Sequence, residues 1–147
     1  MELKDVFTIV GKPGLYRYVA NATHGLIMES LINGKRLKVD MSANVSTLAE
    51  IAIYTTEGEF PLWKVFNAMR DHHDEVYAID KSTPKDTVVA LFAKVLPNYD
   101  TNRVYESNMR KAFRWFVLLT DKGMTDFTVK DPEGDSTTAD SGATPND

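Results

Sequence analysis

The chain has no cysteine among its 147 residues. A disulfide framework, a thiolate nucleophile and a cysteine-based zinc site are therefore excluded, and the fold must stand on packing alone. Long apolar runs are missing too. The richest stretch, Phe113 to Leu119, is broken by Arg114 and is far shorter than the ~18 consecutive apolar residues that mark a membrane span. The opening residues Met1, Glu2, Leu3, Lys4 and Asp5 put charges where a signal peptide carries its apolar core. These absences point to a soluble, cytoplasmic protein in a reducing compartment, with no membrane association.

Catalytic vocabulary is equally sparse. Histidine occurs only as His24, His72 and His73. Ser30, Ser42, Ser46 and Thr8 lack a G-x-S-x-G nucleophile-elbow context. The segment Gly11-Lys12-Pro13-Gly14 has neither the G-K-[ST] ending of a phosphate loop nor G-x-G-x-x-G spacing, so it reads as a turn. Residues Asp71-His72-His73-Asp74-Glu75 crowd five possible metal ligands together. Adjacent residues of a helix point about 100° apart, however, so a solvated helix terminus explains them better than a chelate. No enzyme signature emerges, and no cofactor is implied.

What is present divides by period. Up to residue 57, short β-rich segments alternate with turn formers. Strands are expected at Phe7 to Val10, Leu15 to Val19, Leu26 to Leu31, Arg36 to Asp40 and Glu50 to Tyr54, with Asn33-Gly34 as a type I′ hairpin turn. Five short antiparallel strands in 1–57 suffice for a small SH3-like β-barrel.

From Pro61 the apolar period lengthens to about 3.6. Residues 58–82 read as a helix and linker, with Leu62, Val65, Phe66 and Met69 on one face and the helix ending near His73. Residues 83–123 read as a helical domain. Its first helix has Thr83 as N-cap, Pro84 at its first position, and Val88, Leu91, Phe92, Val95 and Leu96 facing inward. Its second runs from an Asp100 cap to about Lys122, with Gly123 just beyond. Tyr105, Met109, Ala112, Phe116 and Leu119 form that helix's apolar seam, widened by Phe113 and Leu118. The fold class is thus α+β, a barrel followed by about three helices.

Charge is uneven within the overall −4. Residues 83–123 carry seven basic and four acidic groups, whereas 124–147 carry one and six. The latter segment is expected to be a disordered acidic tail, able to visit the basic face of the last helix. That face gathers Arg103, Arg110, Lys111 and Arg114 beside Trp115, and these five are the candidate partner-binding residues. Arginines beside an aromatic ring suit phosphates or bases, although an isoelectric point near 5.4 opposes bulk nucleic-acid binding.

The segments GKPGLY (11–16), IYTTEGEFPL (53–62), LPNYD (96–100) and RVYESNMRKAFRWF (103–116) resemble a family of uncharacterised proteins of Bacteroidota bacteria. The resemblance covers roughly residues 2–123 and implies an SH3-like N-terminal domain of unknown function followed by a small helical domain. It transfers no activity. The expectation for function is a non-catalytic adaptor that binds another protein, with RNA or ribosome association as the alternative and the oligomeric state open.

Overall fold

In the computed structural model, which describes residues 1–129, the first half of the chain builds an antiparallel sheet. Its strands are β1 (Val6–Ile9), β2 (Lys12–Ala22), β3 (Gly25–Ser30), β4 (Arg36–Asp40) and β5 (Val45–Thr47). They lie in the order β4-β3-β2-β1-β5. The two edge strands do not pair, so the sheet is open and the expected barrel is not formed.

Two assignments account for that difference. The segment expected as the fifth strand pairs forward: β6 (Ala52–Thr55) and β7 (Gly58–Pro61) form a separate hairpin with Thr55 opposite Gly58. Only Thr56 and Glu57 lie between the strands, and closing so short a loop is entropically cheaper than a distant pairing. Thr55 locks the turn, its Oγ1 donating to Gly58 O at 2.7 Å and accepting from Glu57 N at 3.1 Å. The fifth strand of the sheet is instead the three-residue β5, too short to show a period, which pairs with β1.

The Asn33-Gly34 turn also differs from expectation. Gly34 has φ +74°, but among the described residues His24 is the one non-glycine with positive φ, so Asn33 cannot complete a type I′ turn. Leu31 N still donates to Leu15 O and Leu31 is buried, which commits it to the sheet and lengthens the loop. Side chains then satisfy the loop amides: Ser30 Oγ accepts from Ile32 N at 3.1 Å, and Asn33 Oδ1 from Lys35 N at 2.9 Å.

The helices are α1 (Leu62–Met69), α2 (His73–Tyr77), α3 (Lys85–Val95) and α4 (Glu106–Asp121), with a 3-10 turn over Arg70–His72. The linker expected at 74–82 therefore includes most of α2. Leu62, Val65, Phe66 and Met69 are all buried, as are Val88, Leu91, Phe92, Val95 and Leu96, so the faces expected from periodicity are the ones packed. The α3 start sits one residue late, with Pro84 at the N-cap position. Asp100 does not cap α4. Its carboxylate accepts from Asn102 N and its carbonyl from Arg103 N and Val104 N, which makes a separate turn. Tyr105 occupies the N-cap position and is 63% exposed, outside the seam assigned to it.

At its other end α4 closes as expected. Gly123 has φ +96°, Gly123 N donates to Thr120 O and Met124 N to Leu119 O, the paired bonds of a Schellman motif. This motif turns the chain back toward the core instead of releasing it. Met124 and Phe127, expected to lie in the disordered tail, are buried. Phe127 sits 5.2 Å from the ring of Phe66 and 5.5 Å from that of Phe116. Its backbone N donates to Asn67 Oδ1 at 3.1 Å, and Arg70 Nη1 donates to Thr125 O. The rest of the expected tail, 130–147, lies outside the described residues.

One main core runs through both halves, joining Val6, Leu15, Leu31 and Leu48 to α1, α3, α4 and Phe127. A second, small core of Ile9, Tyr16, Met28 and Val39 lies within the sheet, where register shifts in the β1–β2 and β2–β3 pairings mark bulges that raise local twist. Replacing Phe127 by Ala removes a ring that is 1% exposed, and urea denaturation should show a loss of about 3–5 kcal/mol. A loss below about 1 kcal/mol would show that residues 124–129 are not part of the core.

Candidate functional site

The β6–β7 hairpin and α4 enclose a groove of about 300 Å³, at the small end of the roughly 300–1,000 Å³ typical of binding sites. Its floor is apolar: Leu62, Phe92, Val104 and Ala112 are buried side chains. Its rim carries Arg103, Asn108, Lys111, Trp115 and Tyr54, and among the described residues no carboxylate lines it. The Asp100 turn sets Arg103 over the Tyr54 ring, with the guanidinium carbon 4.8 Å from the ring centroid. Arg103 Nε lies 3.8 Å from Asp100 Oδ2, so its charge is partly answered. Lys111 has no ion pair among the described residues. Asn108 Oδ1 accepts from Tyr105 N at 2.9 Å, which leaves its amide NH2 as the donor of a groove-lining side chain.

The hairpin wall has an unusual feature in its backbone. Asn98 to Asp100 begin a third strand beside β6: Thr56 N donates to Asn98 O at 2.9 Å and Asp100 N to Tyr54 O at 3.0 Å, around the Thr55–Tyr99 bridge. The turn at Asp100 then takes the chain away. Because side-to-side hydrogen bonding alternates along an antiparallel strand, and Leu62 N bonds Ile51 O on the β7 side, Ala52 and Tyr54 point their backbone groups outward. Ala52 is exposed, and its N–H and C=O have no partner among the described residues.

The five basic and aromatic residues expected to share one face do not. Arg103, Lys111 and Trp115 line this groove, whereas Arg110 and Arg114 line a second concavity of about 400 Å³ against the α2–α3 connection. Arg103 precedes α4, so helical spacing does not govern it. Positions 110 and 114 follow one side of the helix and 111 and 115 the next, as a 100° step requires. Arg110 is consumed by structure: Nε donates to Glu106 Oε2 at 2.6 Å, Nη1 to Asp80 O at 3.1 Å and Nη2 to Thr83 O at 2.5 Å. Arg114 remains exposed at the rim of its concavity.

That second concavity also holds Tyr77, whose hydroxyl donates to Asp121 Oδ1 at 2.7 Å. Desolvation, and then this carboxylate, push the phenol up to about 12. Asp80 is held below its ordinary range first by the Ser82 hydroxyl. The two imidazoles go separate ways. His72 Nδ1 meets Glu75 Oε1 at 3.1 Å, His73 Nδ1 meets Asp74 Oδ1 at 3.1 Å, and the His73 ring stacks on Tyr77 at 4.4 Å. The His72 contact and Lys94 lower the Glu75 carboxyl. Among the described residues no three such side chains converge as a metal site would require, and no helix is long and apolar enough to cross a membrane.

Residues 3–48 match a family model described as Domain of unknown function (DUF5606), and residues 51–119 match Domain of unknown function (DUF6852). The chain is similar to a protein from Bacteroides vulgatus whose solution NMR structure aligns with a TM-score of 0.67 at 37% identity, over 85% of this chain and 90% of that one. No curated protein matches it. The boundary between the two matched regions falls at residues 49–50, within the 3-10 turn Leu48–Glu50 that leads into β6.

Arg110 and Arg114 separate structure from surface. Replacing Arg110 by Met should lower the unfolding free energy by about 1.5–3 kcal/mol, the value of hydrogen bonds from a charged group. Replacing Arg114 by Met should change it by no more than about 0.5 kcal/mol. Equal losses in thermal or urea unfolding would refute the division.

Proposed function

The chain belongs to a family of unknown function that joins DUF5606 to DUF6852, and we propose that it is a non-catalytic, cytoplasmic binding module that docks another protein in the groove between β6 and α4. The groove itself carries this reading: an apolar floor of Leu62, Phe92 and Ala112 lies beneath a rim of Trp115, Tyr54, Arg103 and Lys111. Tryptophan, tyrosine and arginine around a desolvated pocket are the residues that dominate protein interfaces. The polar rim groups of Arg103, Lys111, Asn108 and Trp115 are donors. Such a set recognises a partner's acceptors.

RNA or ribosome association is the second reading. It rests on the same indole beside two cations, a combination on which bases stack. Protein docking is favoured because the basic residues expected to form one phosphate-binding face are split between two concavities, with Arg110 internally bonded. Affinity purification from the native cell, with and without nuclease, compares the wild type with Trp115→Ala. Protein partners should survive nuclease and disappear from the variant. Partners lost on nuclease treatment would establish the RNA reading instead, and partners unaffected by Trp115→Ala would place docking elsewhere.

A further inference from the structure

We infer that the groove receives an extended, acidic segment of the partner, which adds to β6 as its missing third strand. This deepens the docking reading and rests on it. Pairing beside β6 is interrupted. Asn98 to Asp100 occupy the strand position opposite Tyr54 to Thr56, and the Asp100 turn vacates the position opposite Ala52. The vacated position is the groove, since Ile51, Ala52, Ile53 and Tyr54 form one wall of it. A chain lying there in extended form would find the N–H and C=O of Ala52 without a partner among the described residues.

The geometry selects backbone, and the rim selects charge. Along an added strand, successive side chains point to opposite faces, so alternate residues face the apolar floor while their neighbours face the rim. At the rim stand the Lys111 ammonium, without an ion pair among the described residues, the Arg103 guanidinium and the Asn108 amide NH2. A carboxylate on the added segment gains these donors and meets no carboxylate among the described lining residues, Asp100 lying beside Arg103 at 3.8 Å, whereas a lysine there meets two cations. Strand addition of this kind draws affinity from main-chain hydrogen bonds and specificity from alternate side chains. The occupant is therefore a segment alternating apolar and acidic residues.

Fluorescein-labelled hexapeptide pools test this with the full chain. One pool alternates apolar and acidic residues, one alternates apolar and basic residues, and an RNA hexamer is the third probe. Anisotropy should show saturable binding of the acidic pool, tighter than the basic pool by about tenfold or more, and weakened about tenfold by Lys111→Glu. In amide-resolved NMR the bound acidic pool should shift Ala52 and Tyr54. N-methylation of alternate peptide amides should abolish binding in one phase only, because only alternate amides face the strand.

Failure of the acidic pool to bind at about millimolar concentration, indifference to N-methylation in both phases, or preference for RNA would each overturn strand addition. If Trp115→Ala still removes cellular partners while the acidic pool fails, docking stands and strand addition falls.

Discussion

The structure depends on the burial of α1. An eight-residue helix is too short to hold itself in water, so its apolar face must be covered on every side. Phe66 is completely buried, at 6.4 Å from the Phe116 ring of α4 and 5.2 Å from the Phe127 ring of the C-terminal segment. Val6 and Leu15 of the sheet, with Leu31 and Leu48 beside it, join the same core. The sheet they come from is open, its edge strands β4 and β5 unpaired with each other. The requirement to cover α1 thus links the unclosed sheet, the Schellman turn at Gly123 and the return of Phe127 over the core.

The same constraint places the groove. Leu62, the first residue of α1, is held to the hairpin by its N–H to Ile51 O and forms part of the groove floor. The hairpin cannot move off β6's side of α1 without exposing that floor. On the opposite side, Asp100 bonds to Tyr54 and then turns so that Val104 can be buried. The open stretch of β6 at Ala52 follows from two competing demands on residues 98–104, pairing with the hairpin and burying Val104 before α4 begins.

Legibility in the sequence followed the range of each signal. Periodicity of 3.6 identified the buried faces of α1 and α3, because apolar residues recur along one helix face whatever the tertiary context. The five expected strands lie close to β1, β2, β3, β4 and β6 for the same local reason. The partner of the residue 50–54 segment was not legible, since the competing pairings differ only in loop closure and tertiary burial. β5 is three residues long and leaves no periodic trace. Phe127 was lost in the composition of its neighbourhood, where one buried ring among Asp, Thr and Lys reads as tail. Arg103 was assigned to a helix that starts three residues later, so its spacing from Arg110 and Arg114 carried no geometry. The groove could be found only from the fold, because residues 51–54, 103 and 108–115 come together through tertiary packing, though the Trp115 and Lys111 side of it was visible as an aromatic beside a cation.

Among the described residues, β6 leaves the N–H and C=O of Ala52 and the N–H of Tyr54 without a partner, while the hairpin around them is bonded on both sides. Native-state amide hydrogen exchange, resolved residue by residue in the free protein, measures this directly. Ala52 and Tyr54 should exchange near the rate of unstructured backbone, while Thr56, Leu62 and Asp100, whose N–H groups are bonded to Asn98 O, Ile51 O and Tyr54 O, should be protected by about a hundredfold or more. Protection of Ala52 and Tyr54 equal to that of Leu62 would contradict the account, because the third-strand position would then be filled by the protein itself.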